Sequence, residues 1–207
     1  MSRISGPVWR MAGSAASWLL FTFFFSLLYQ SAAVVSGLGG FCAQGGPYVI
    51  QTECPESVVI WAPLSIFGGL IAVGIGLFAA RGFGAPVVVW AWPVLFVGLG
   101  VQFLLSGGIV GVIIGVMFVV MGVVPLIWEF RAGPRRITLG KTNANDIRFS
   151  DKENAPRTFY AFGRVDADST VSPTPADWAL SLGIWIPSVA LGVFLGIQTF
   201  MATAAAG

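Results

Sequence analysis

The chain has 207 residues, 56% of them hydrophobic and only 10% charged, with a formal net charge of +2. A soluble domain carries charge at roughly a quarter of its positions, so this balance indicates an integral membrane protein and no nucleic-acid partner. There is no histidine and there are two cysteines, which excludes imidazole-ligated haem, the usual zinc and copper sites, four-thiolate clusters within one chain, and catalysis built on Ser-His or Cys-His pairs.

The N-terminal segment MSRISGPVWR carries Arg3 and Arg10 and no acid. An apolar run from about Ser14 to Val35 follows, with Phe21, Phe23, Phe24 and Phe25 at its centre. About 20 apolar residues cross a bilayer core, so the run predicts a first span. A cleaved signal peptide is the rival, since basic residues precede the run. Its length and the lack of a clean A-x-A site favour an uncleaved helix.

A polar loop at about 37–57 holds both cysteines, Cys42 and Cys54, among the turn formers Gly37, Gly39, Gly40, Gly45, Gly46 and Pro47. Glu53 and Glu56 are its only charges. Phe41 directly precedes Cys42, where lipid attachment would need a small residue. A second span is predicted from Val58 to Ala80, ending at Arg81. The stretch from Pro86 to Phe130 is too long for one helix and divides at Ser106-Gly107-Gly108. Two helices are expected, about 86–105 and 109–129; a single re-entrant hairpin is the alternative.

Past Phe130 the composition changes. Between Arg131 and Asp177 lie eight basic and six acidic residues, with short apolar pieces at 137–139, 147–149 and 158–162. These pieces are too few to enclose a core, so 131–177 reads as a linker or small flap. The last span runs from about Trp178 to Met201. The organisation is therefore a four-helix part at 1–130, the charged segment at 131–177, and a fifth helix with its tail at 178–207.

Charge sets the orientation. All eleven Lys and Arg lie in the N-terminal segment, at Arg81, or between Arg131 and Arg164. None lies in the cysteine loop, the 106–108 turn or the C-terminal tail. With five spans the two sets alternate without exception, whereas four spans would misplace one of them. The positive-inside rule then predicts an all-α, five-helix, multi-pass protein of the cell membrane, with the N-terminus and 131–177 in the cytoplasm and the cysteine loop and C-terminus outside. Trp9, Trp18, Trp61, Trp128 and Trp178 fall near span ends, as interfacial aromatics do.

Few residues carry chemistry. Cys42 and Cys54 share one outer loop and are expected to form a disulfide in an oxidising compartment. A redox pair is the sharper alternative, but the spacing is not C-x-x-C, and Glu53 beside Cys54 opposes thiolate formation. Small residues recur every fourth position in three spans: Gly68, Ala72 and Gly76; Gly107, Gly111 and Gly115; Ser188, Gly192 and Gly196. Such ridges let helices approach closely in lipid, within one chain or against a partner subunit. Pro93, Pro125 and Pro187 are candidate kinks, while Pro63 reads as a helix start. Gln30, Gln102 and Gln198 all fall toward the outer side and are candidates for polar contacts. Glu129 is the only acid in a predicted span and lies at its cytoplasmic end. No ionisable residue sits near a bilayer midplane, where ion-coupled transporters place one.

The loop carries the motif C-A-x-G-G-P-Y-x-I over Cys42 to Ile50, then Cys54-Pro55, then P-L-S-I-F-G-G over Pro63 to Gly69. It resembles a group of small actinobacterial integral membrane proteins of unassigned function. The resemblance covers about a quarter of the chain. It implies an outer disulfide loop entering a span and brings no catalytic residues.

The expectation is a non-enzymatic protein without cofactor or metal, in contact with membrane lipid and with partner subunits or copies of itself. An accessory or assembly subunit of a larger membrane complex, respiratory or envelope-building, fits best. A self-associating transporter or channel is the alternative, and a membrane thiol oxidoreductase the third.

Overall fold

The computed structural model describes residues 7–40, 42–43, 52–80, 84–132, 138–139 and 175–206. It contains five long helices: α1 (Pro7–Gly37), α2 (Glu56–Ile75), α3 (Val87–Ser106), α4 (Gly108–Ala132) and α5 (Pro175–Ala206). Each is long and apolar enough to cross a membrane, and no strand occurs among the described residues. The chain is an all-α, multi-pass membrane protein. Most of 131–177 lies outside the described residues, including the expected flap.

Local signals explain the helix ends. Pro7 opens α1, where a missing N–H costs nothing. Glu56 sits in the first turn of α2 and Arg131 in the last turn of α4, each matching the helix dipole. At the end of α1, Gly40 N–H donates to Val35 O and Gly39 N–H to Ser36 O, with Gly39 at φ 95°. This paired pattern is a Schellman cap, which requires a residue tolerant of the left-handed region. Gly107 and Gly108 (φ 76° and 75°) make the turn from α3 to α4.

Two helix lengths and the places of two residues differ from the sequence expectation. At 31 and 32 residues, α1 and α5 outrun their apolar cores. At 1.5 Å per residue each is roughly 46–48 Å long, so both tilt within or project beyond a core of about 30 Å. Gly107 heads no ridge on α4; it is a turn residue with nothing near its α-carbon's open side. Pro63 does not start α2 but lies inside it, in its second turn.

α1 is the hub. It packs on α2, α3 and α5, whereas among the described residues α4 packs chiefly on α3. The contacts fix the directions. Gly13 on α1 lies against Ala79–Ala80, and Phe24 covers Gly68, so α1 and α2 are antiparallel. Trp18 packs at a tilt against Trp185 and Thr22 meets Gly192, so α1 and α5 are parallel. Trp18 Nε1–H donates to Ala85 O (2.6 Å) and Phe25 covers Gly98, so α3 also runs with α1. Gly100 lies against Gly115 and Phe103 against Gly111, making α3–α4 an antiparallel hairpin. Arg10 and Arg131 thus share one end of the bundle; Cys42, Cys54, the 107–108 turn and Thr203 share the other.

Candidate functional site

The small residues of α2 and α5 turn toward the hub. Ala72 is fully buried, and Ser17 Oγ donates to its carbonyl at 2.8 Å. Gly76 lies under the same hydroxyl, and its N–H is shared between Ala72 O and Val73 O. Ala72 O therefore accepts two donors, and the helix widens directly beyond it into a π-turn at Gly76–Ala80. Insertion of a side-chain donor into the helical ladder is a common origin of such a turn. On α5, Gly192 faces Thr22 and the Leu19 carbonyl, and Gly196 faces Phe23 O and Ser26. Ser188 is buried and donates to Ile184 O (2.7 Å). On α4, Gly111 and Gly115 face α3.

Sequence periodicity missed the other half of these seams. Gly13, Gly98, Gly100 and Gly122 each lie against a neighbouring helix with no room for a β-carbon. A β-carbon on Gly100 would stand 2.9 Å from Gly115 O, so Gly100 takes the place on this hairpin that spacing gives to Gly107. The hub's hydroxyls were also missed. Ser14, Ser17, Thr22, Ser26 and Ser31 are all buried. The available signal was composition alone: five hydroxyl residues on an otherwise apolar run, spread around the helix and marking no one face. Thr22, Ser26 and Ser31 donate back to Trp18 O, Thr22 O and Leu27 O at 2.7–2.9 Å, so each is satisfied within its own helix.

One proline break has a specific remedy. Pro125 has no N–H for Met121 O; Trp92 Nε1–H on α3 donates to that carbonyl at 3.0 Å. Trp61 Nε1–H donates to Thr203 Oγ1 (2.9 Å), tying the start of α2 to the end of α5. Trp18, Trp90 and Trp185 cluster at the arginine end, their rings 5.4 and 5.8 Å apart about Trp185.

Cys42 and Cys54 are joined in a disulfide with Cα atoms 4.9 Å apart. Beside it, Ala43 N–H donates to Thr52 O (3.0 Å) and Cys54 N–H to Ala43 O (3.3 Å). The loop is therefore closed at its base by a covalent bond and a two-bond bridge. Gln30 and Gln102 are half-buried and Gln198 is exposed. No hydrogen bond among the described residues brings the three together. Glu129 is half-buried, two positions before Arg131 on the same helix.

Two cavities lie where α2 and α3 diverge over α1. One, about 270 Å³, is bounded by Phe21, Phe25, Gly69, Leu70, Ala91 and Trp92. The second, about 280 Å³, is bounded by Ser31, Val35, Gly40, Val58, Ala62 and Phe103. They meet at Leu28, and none of the three glutamines lines either. Among the described residues no group of three or more potential metal-ligating side chains comes together. No protein-family model, curated protein or solved structure matches the chain.

Proposed function

We propose that this protein is a non-enzymatic accessory or assembly subunit of a larger membrane complex. The observation that carries the proposal is α4. Its most apolar stretch is only 11% buried, against 22–28% for the other four helices. Among the described residues it packs chiefly on α3, and Ile109, Ile113, Val116, Val120 and Trp128 stand exposed along it. The glycine seams meanwhile serve contacts within the chain. A partner helix would find on α4 a rigid apolar face with no competing function.

In this proposal the arginine end faces the cytoplasm and the disulfide end the exterior, because cytoplasmic loops concentrate Lys and Arg and disulfides persist in oxidising compartments. The loop motif supports membership in the actinobacterial group that it resembles. A channel built from copies of the chain would need a polar path, and the walls of the two cavities are almost entirely carbon. The test is gentle extraction of the tagged full-length protein from its native membrane, followed by mass spectrometry of what stays bound. A reproducible stoichiometric membrane partner is expected, lost on Ile113→Arg. A stable monomer without a partner would overturn the proposal.

A further inference from the structure

The two cavities share Leu28 as a wall and line up along α1 as a furrow, each partly open to the side of the bundle. Along α1 it runs from Phe21 to Ser36, fifteen helical rises of 1.5 Å or roughly 22 Å. One leaflet's hydrocarbon is roughly 15 Å deep, half of the core, so the furrow spans a leaflet. Cavities of about 270 and 280 Å³, together roughly 550 Å³, give over that length a mean cross-section of about 25 Å². That is the width of one hydrocarbon chain. A helix about 10–12 Å across is several times larger in cross-section, so it would lie over the furrow rather than sink into it.

The walls agree with such an occupant. Phe21, Phe25, Leu70, Trp92 and Phe103 supply apolar surface. The hydroxyls of Ser31 and Ser65 are turned back to Leu27 O and Ala62 O at 2.9 Å. The upper mouth, at Ser36, Gly40 and Val58, opens at the disulfide end. No Lys or Arg occurs from residue 11 to 80, and the charges at that end are Glu53 and Glu56, both exposed. An anionic headgroup meets repulsion there; an ammonium meets two carboxylates.

We infer that the α1–α2–α3 furrow holds one acyl chain of an amine-headed zwitterionic phospholipid from the leaflet at the disulfide end. Gly69 is the place to test it. It lines the furrow, and a β-carbon there meets nothing within 4 Å, so a side chain can start into the furrow from this position without a clash at its β-carbon. Ala91 lines the same space from α3.

The experiment is native mass spectrometry of the full-length protein released from nanodiscs of equimolar phosphatidylethanolamine and phosphatidylglycerol with identical chains. Wild type is expected to retain one phosphatidylethanolamine per chain, at least fivefold over phosphatidylglycerol. Gly69→Phe and Ala91→Leu are expected to lower retention at least tenfold, with the disulfide and unfolding midpoint preserved; Ile113→Phe on the outer face of α4 is expected to retain lipid as wild type does. Loss in either folded furrow variant supports the inference. Retention in both, no retained lipid in wild type, equal loss in Ile113→Phe, or a preference for phosphatidylglycerol overturns it. The measurement uses the isolated chain, so it stands or falls separately from the search for a partner complex.

Discussion

At single residues the fold rests on absent side chains. Gly192 touches Thr22 and the Leu19 carbonyl so closely that any β-carbon must push α5 off α1. In lipid there is no hydrophobic drive to hold helices together, so close van der Waals contact carries the association. Gly192→Val is expected to destabilise the bundle by roughly 1–3 kcal/mol, the usual range for overpacking. Gly183→Ala, with nothing within 4 Å of its β-carbon, is expected to stay within about 0.5 kcal/mol of wild type. Unfolding in mixed detergent micelles reads both, and equal midpoints would remove Gly192 from the seam. The fourfold spacing marked Gly192 and Gly196 in the sequence, but it also marked Gly107. Spacing does not distinguish a helical glycine from one in the left-handed region. Gly100 escaped because its partner surface, Gly115, lies on the next helix and leaves no fourfold pattern on α3.

At the scale of elements, five apolar runs were legible because length against bilayer thickness is a strong constraint. The disulfide was legible for a different reason: two cysteines in one short loop have no other partner. What was hidden is which helix sits at the centre. Periodicity finds a buried face by contrast with a polar one, and these helices are apolar all round, so the contrast is missing. The π-turn was hidden too, since it depends on Ser17 reaching Ala72 O across 55 positions of sequence. The loop base is held by both the Cys42–Cys54 bond and the Ala43 bridge, whereas the seams below it do not involve the loop. Cys42→Ser is therefore expected to cost at most about 3 kcal/mol, the value for closing a loop of this size, and to leave helix content unchanged. Circular dichroism with the same micellar unfolding assay checks this; loss of helix content would show that the disulfide holds the bundle itself.

For the whole molecule, the alternation of helix directions puts Arg10 and Arg131 at one end and the disulfide, the Gly107–Gly108 turn and Thr203 at the other. That arrangement turns the orientation proposal into one test. In intact cells a membrane-impermeant maleimide is expected to label Ser106→Cys and Ala204→Cys, and to label Ala132→Cys only after permeabilisation. The reverse pattern would invert the orientation, and labelling of Ser106→Cys and Ala132→Cys from the same side would break the five-span crossing.

The parallel packing of α5 on α1 also has a consequence in time. α5 is synthesised last, yet it covers the helix synthesised first. From Gly37 to Ala206 there are well over a hundred residues of chain to translate, on the order of ten seconds or more at 5–20 residues per second. Throughout that interval the α5-facing side of α1 meets lipid or the insertion machinery. Thr22 and Ser26 lie on that side, and both donate to carbonyls of their own helix. A hydroxyl that needs no partner from outside can wait in hydrocarbon at little cost. The nascent first helix is thus kept ready for its last neighbour by its own backbone.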